Sequence, residues 1–141
     1  MALSEVMLGI EYLYAALSVD SALTALVPGG VWRGLADPGT ATPFIVIAHQ
    51  AGTDSIAFGA VRALTSMLYQ AKVVGPANNS ADLATAAARL DTLITTAVPI
   101  GISGGLIKSC YREQPLLVDE TVTGEKWANI GGLYRIRVSI A

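Results

Sequence analysis

Leu106-Ile-Lys-Ser-Cys-Tyr-Arg-Glu113 reads as a β-strand, and Leu133-Tyr-Arg-Ile-Arg-Val-Ser-Ile140 reads as a second one that closes the chain. In the last stretch Tyr134, Ile136, Val138 and Ile140 fall on one face and Arg135, Arg137 and Ser139 on the other. That period-2 alternation belongs to a sheet with one buried face. Between the two strands lies a long polar excursion, Gln114 to Lys126, expected to form a loop-like arm. Such an arm is poorly placed to build an active site in a small protein, but it can reach a neighbouring subunit. The pattern favours an assembly component over an enzyme.

Composition points the same way. A chain of 141 residues fits one domain, expected to span 1–141, with a core that needs neither disulfides nor metals. The hydrophobic fraction is 52% and the charged fraction 14%, against about 25% in typical soluble domains. A small monomer needs charge to cover its surface, so the deficit implies that other chains cover part of it. No apolar run reaches the roughly 18 residues of a membrane span, and Glu5 and Glu11 stand where a secretory signal needs basic residues. The single cysteine, Cys110, leaves no internal disulfide and fits a reducing compartment. Net charge is −2 with the nine basic residues scattered, which argues against sequence-specific nucleic-acid binding.

Upstream, Leu3, Val6, Met7, Ile10, Leu13, Tyr14 and Leu17 follow the spacing of an amphipathic helix. Asp20 can cap a short continuation through Leu26, and Pro28-Gly29-Gly30 stops it. Val31-Trp32-Arg33 is a brief extended segment. Pro43-Phe-Ile-Val-Ile-Ala-His49 is a strand rich in β-branched residues, and Arg62 to Val74 is a longer one. The residues between, Gln50 to Ala60, carry Gly52, Thr53, Asp54, Ser55 and Gly59 and read as a loop. Ser80 or Asp82 can cap a helix with the stripe Leu83, Ala86, Ala87, Leu90, Leu93, Ile94 and Ala97, closed by Pro99 and Gly101. The order α-β-β-β-α-β-β predicts an α+β fold, a mostly antiparallel sheet with two main helices packed on one face.

Chemistry-bearing residues lack partners at useful spacing. His49 is the one histidine, with Asp54 the nearest acid across a glycine-containing stretch, and reads as a solvated or hydrogen-bonded strand-end residue. Cys110 lies mid-strand with no histidine or lysine motif to lower its pKa. No Cys/His cluster has metal-site spacing. Gly29-Gly30, Gly104-Gly105 and Gly131-Gly132 lack the phosphate-loop patterns and read as turns or bulges. Asp119, Glu120 and Glu125 read as solvated acids of the arm. Neither catalytic, metal nor cofactor-binding residues are expected.

Taken in order, these segments resemble the tail terminator (tail completion) proteins of long-tailed phages. The resemblance is carried by the N-terminal helix ending before Val31-Trp32-Arg33, by Pro43-Phe-Ile-Val-Ile, and by the strand through Tyr69-Gln-Ala-Lys72. The alanine- and leucine-rich helix Asp82 to Val98 and the closing strand–polar loop–Tyr134-Arg-Ile-Arg-Val complete it. It implies a non-enzymatic virion protein, assembled in the host cytoplasm and placed at the head-proximal end of the tail. There a homo-oligomeric ring, hexameric in the family, would cap the tail tube protein, end its polymerisation and meet a neck or head-completion protein. DNA would be free to pass through the ring. The alternative is a neck or head-closure ring between portal and tail. Contact residues expected on this basis are Asp54, Phe58 and Arg62 in the Gln50–Arg62 loop and Asp119, Glu120 and Glu125 on the arm. Arg135 and Arg137, read from the alternation of the last strand, are expected either on an exposed sheet face or in salt bridges to the arm of a neighbouring subunit.

Overall fold

In the computed structural model the structure describes residues 4–56, 62–96, 98–102 and 104–140. Leu3, Phe58, Gly59, Ala60 and Ala97, named above, lie outside them. Helix α1 (Glu5–Ser18) is capped by the Ser4 hydroxyl, and α2 (Ser21–Leu26) by the Asp20 carboxylate, which accepts from the Leu23 amide at 2.9 Å. There follow β1 (Val31–Arg33), β2 (Phe44–Ile56), β3 (Arg62–Pro76), a single 3-10 turn (Ala77–Asn79) and α3 (Ser80–Thr96). Three strands close the chain: β4 (Ile100–Ile102), β5 (Gly105–Val122) and β6 (Glu125–Ile140).

The strands form a single six-stranded sheet in the order β1-β2-β3-β6-β5-β4. Only β1 and β2 run parallel; the other pairs are antiparallel hairpins or, for β3 and β6, an antiparallel crossover around α3. This is the expected α+β architecture. The β3–β6 pair is the spine, and its core face carries Met67, Tyr69, Ala71 and Val73 beside Tyr134, Ile136 and Val138, all buried. Leu8, Leu13 and Leu17 of α1 and Leu83, Leu90 and Ile94 of α3 pack into the same cluster, with Ile45 and Ile47 of β2 and Ile107 and Cys110 of β5. Both main helices therefore lie on one face, as the strand alternation requires.

Three buried phenols tie the elements together: Tyr69 of β3 donates to the carbonyl of Val6 in α1 (2.7 Å) and Tyr134 of β6 to Asp91 Oδ1 in α3 (2.8 Å), while Tyr12 of α1 donates to the carbonyl of Ile94 in α3. Each satisfies a polar atom that burial would otherwise make costly. Tyr69 also explains a difference from the expected stripe of α1. Its ring lies where a Cβ on Gly9 would be, 2.1 Å from the hydroxyl oxygen. The glycine lets the ring reach the helix, and α1 turns Leu8, Gly9 and Tyr12 inward, leaving Val6 and Tyr14 exposed. The stripe of α3 is as expected in Leu83, Ala86, Leu90 and Ile94. Ser80 opens that helix with its hydroxyl donating to the Ala77 carbonyl.

Strand ends differ more. The Gln50–Arg62 and Gln114–Lys126 segments were expected as loops, yet β2 continues to Ile56 and β5 to Val122, and β6 starts at Glu125. The second hairpin closes on two residues, Thr123 (φ 50°) and Gly124 (φ 79°), the paired left-handed backbone of a tight turn matched to strand twist. Polar composition hid these strands because most of their residues face solvent on both sides. The short β4, pairing Ile100–Ile102 with Gly105–Ile107, was not expected either.

Between α2 and α3, Arg89 makes a two-pronged ion pair with Asp20, 2.7 Å and 3.0 Å. The hydrogen bonds from Arg89, then that from the Leu23 amide, hold the Asp20 carboxyl below its ordinary pKa. A depressed folded-state pKa contributes stability above the unfolded value, about 3.9, and that contribution is lost as pH falls through the folded value. Asp20→Asn should therefore be less stable than the parent at pH 7, with the difference closing on acidification below the ordinary carboxylate range. Urea titrations at several pH values measure it; a constant gap down to pH 2 would assign the effect to packing.

Candidate assembly interface

The register of the sheet sorts the expected contact residues into two groups at opposite ends. His49, Tyr69, Tyr134 and Arg112 lie level across β2, β3, β6 and β5. On one side of that level are the distal half of β2, with Asp54, and the paired residues Ser66–Arg137 and Leu68–Arg135. On the other side are Asp119, paired with Ala128, Glu120, paired with Trp127, and Glu125 at the hairpin tip. Seven residues of β6 separate Ala128 from Arg135, roughly 24 Å of strand at about 3.4 Å per residue.

At the first end, Asp54 accepts a hydrogen bond from the Thr65 hydroxyl at 2.7 Å on the core face, beyond the helices. Arg62 opens β3, its backbone paired with Ile56; Phe58 falls outside the described residues. Arg135 and Arg137 project from the face opposite the core, as the alternation predicts. Arg135 forms a bidentate pair with Glu113 of the same chain, with its terminal nitrogen 3.0 Å and 3.2 Å from the two carboxylate oxygens. Arg137 lies over the Tyr111 ring, 5.5 Å from its centre, within the range of a cation–π contact. The expected pairing of these arginines with the arm acids is one between subunits; within a subunit Glu113 holds Arg135, and the arm acids sit at the far end of the sheet. Glu113 and Tyr111 were missed because the alternation of β6 says nothing about which strand lies beside it.

At the second end, Glu120 accepts from the Asn129 side chain at 3.1 Å. A cavity of about 380 Å³ opens here on the outer face, between the sheet and the Gly34–Thr40 turn, lined by Phe44, Val46, Lys72, Val74, Trp127 and Glu120. Phe44 and Trp127 pack at a ring separation of 6.3 Å, and the indole Nε1 is buried with no hydrogen-bond partner. Lys72 and Asp37, also on the lining, were not expected as site residues.

Exposure distinguishes the two outer long strands from the spine. In β2 every residue from His49 to Ile56 is exposed, on both faces, and in β5 the same holds from Tyr111 to Val122 apart from Leu116. Ile56, Leu117, Val118 and Val122 are among the large apolar side chains left open. The outer edges are open too: β1 pairs β2 only at Ile45–Ile47, and β4 pairs β5 only at Gly105–Ile107. Among the described residues no strand pairs with the rest of either edge.

His49 and Cys110 have structural surroundings. His49 is exposed and meets the Tyr69 ring edge-on at 5.3 Å; it lies inside β2, not at a strand end. Cys110 is buried in the core, where desolvation, then the nearby Asp91 charge, pushes its thiol up to about 12. Among the described residues no group of three His, Cys, Asp or Glu side chains could hold a metal ion, and no helix is long and apolar enough to cross a membrane.

No family model and no curated protein matches this sequence. Solved structures do share its fold. One is a chain of the virion of a native gene transfer agent particle, with a TM-score of 0.64 and 16% identity over 90% of this chain and 91% of that one. A second solved chain gives a TM-score of 0.53 at 18% identity, covering 94% of this chain and 95% of its own. The gp17 protein of bacteriophage SPP1 aligns at a TM-score of 0.40 and 15% identity, over 94% of this chain and 88% of that one.

Proposed function

We propose that this protein is a structural subunit of a phage-type virion, and within that class a tail terminator. It would form a ring, six-membered by resemblance, on the last layer of the tail tube. The observation that carries the reading is the pair of outer strands open on both faces and along their edges. A lone subunit gains nothing from a strand that buries neither side. An exposed edge invites pairing with another chain, and a protein with 14% charged residues has little else to protect it. The fold shared with a virion chain over nine-tenths of both lengths supports the same class.

The mechanism is geometric. One ring face complements the growing end of the tube, the other presents no surface for a further tube layer, and a neck protein takes its place. Contacts would come from the two ends of the sheet, with Asp54, Phe58 and Arg62 at one and Asp119, Glu120 and Glu125 at the other. Arg135 and Arg137 would contribute from the outer face, where their charge is shared with Glu113 and Tyr111.

Inactivating the gene in the element that encodes it should give tubes of uncontrolled length, seen by electron microscopy, and purified protein should restore normal length. Tails of normal length that fail to join heads would overturn the terminator reading in favour of a neck connector. Complete particles in normal yield would overturn both.

A further inference from the structure

Resting on the ring reading, we infer that neighbouring subunits join by strand addition. The open edge of β2, His49–Ile56, of one copy pairs antiparallel with the open edge of β5, Arg112–Asp119, of the next. The sheets would merge into one continuous sheet around the ring.

Four observations lead there. The two open edges lie on opposite sides of the same sheet, so the contact is head-to-tail. Heterologous contacts of that kind close into rings when the rotation allows. The strand directions fit: β2 and β6 run one way and β3 and β5 the other, because every pair between β2 and β5 is antiparallel. A neighbour in the same orientation therefore meets β5 with an antiparallel β2. The edges also differ in protection. On the β5 edge Lys108 lies outside the paired stretch and Pro115 withholds at most one donor from an added strand, whereas His49–Ile56 of β2 holds no lysine, arginine or proline. An edge without safeguards against pairing is one whose partner is supplied by the assembly.

The fourth observation sets the register. With neighbours level, His49–Ile56 would face β5 between Gly105 and Arg112, where β4 already occupies Gly105–Ile107. Sliding the neighbour toward the β5–β6 tip clears β4. Closed sheets tilt their strands by about 35–45°. Four strands at about 4.8 Å span roughly 19 Å, so a tilt near 45° gives a slide of similar length, about six residues. That brings Thr53 opposite Leu116, both on the outer face. The bulges beside Gln50 and Glu113 allow each edge to bend into such a curve.

The test uses Cys110→Ala protein carrying Thr53→Cys and Leu116→Cys together, oxidised as the assembled ring and run without reductant. A ladder of covalent multimers up to ring size is expected, with neither single-cysteine variant giving more than a few per cent dimer. In unmodified protein, backbone amides of His49–Ile56 that point away from β3 should exchange at least a hundredfold more slowly in the ring than in dissociated subunits. Rings of full mass with no ladder and unchanged exchange would overturn strand addition alone. Dimers from the Thr53→Cys variant by itself would also overturn it, because they mean a self-pairing contact. A chain that stays monomeric at high concentration, even with tube protein present, would overturn the ring on which the inference rests.

Discussion

Above pH 10 the subunit should lose stability steeply and unfold cooperatively within about one to three pH units. Four acids are buried in its core in the neutral form: Tyr12, Tyr69, Tyr134 and Cys110. Burial raises all four pKa values, because the charged form would be stranded away from water. For Tyr134 the hydrogen bond to Asp91 adds to it, since the phenol proton is what Asp91 accepts. A group whose folded pKa is raised contributes its full stability below the unfolded pKa and loses it as pH climbs toward the folded one. The unfolded values are about 8.5 for Cys and 10 for Tyr. Each group then removes roughly 1.4 kcal/mol per pH unit. Four together exhaust a typical domain stability of about 5–15 kcal/mol within one to three units.

Circular dichroism should fall in the same pH interval in which phenolate absorbance from the buried tyrosines rises, and a thiol reagent should reach Cys110 only there. Below it, with the thiol near 12 instead of 8.5, the thiolate fraction is about three orders of magnitude lower, and labelling should be slower by at least that factor. Phenolate absorbance near pH 10 from all five tyrosines, with unchanged dichroism, would show that the core does not hold these groups as described.

Gly131→Ala should destabilise the fold by about 3–5 kcal/mol, whereas Gly132→Ala should cost about 1 kcal/mol. A Cβ on Gly131 would stand 2.1 Å from the Ala71 carbonyl oxygen and 2.6 Å from the Lys72 Cα, both backbone atoms of the facing strand. Neither can move without breaking the β3–β6 spine. At Gly132 the nearest atoms are the Cδ and Cγ of Arg112, an exposed side chain that can swing aside, and only then the Gln114 carbonyl oxygen at 3.0 Å. The Gly131-Gly132 pair, expected as a turn or bulge, is thus the place inside β6 where the sheet curls hard enough for two backbones to meet. Urea denaturation of both variants decides it; equal midpoints would mean that the spine relaxes there and that the curl is not fixed by this contact.

Much of this fold could be read from residue order. The alternation in Leu133–Ile140, the stripe Leu83–Leu90–Ile94 and the cap at Asp20 each express a local rule. A strand with one wet face alternates, a helix on a core shows its 3.6-residue period, and an N-cap supplies an oxygen to an orphan amide. They correctly required helices on one face of an antiparallel sheet. The same rules failed for Ala51–Ile56 and Gln114–Val122, because periodicity signals only burial. A strand held by hydrogen bonds to one neighbour, with both faces wet, leaves no mark in hydropathy.

The candidate site was legible only in part. Arg135 and Arg137 could be assigned to the outer face from β6 alone, but their partners Glu113 and Tyr111 depend on the offset of β5 against β6. That offset is set by the tight turn at Thr123-Gly124 and by the bulges at Lys108 and Glu113. The open edges exist only once six strands have been ordered side by side and two short ones found to cover three residues each. By itself, then, the sequence determined which faces are apolar, because burial free energy is a property of each side chain in its local period. Which strands neighbour one another, and which edges are left without a partner, was decided by the tertiary structure, because hydrogen-bonding capacity is the same for every residue but proline and acquires meaning only from what lies beside it.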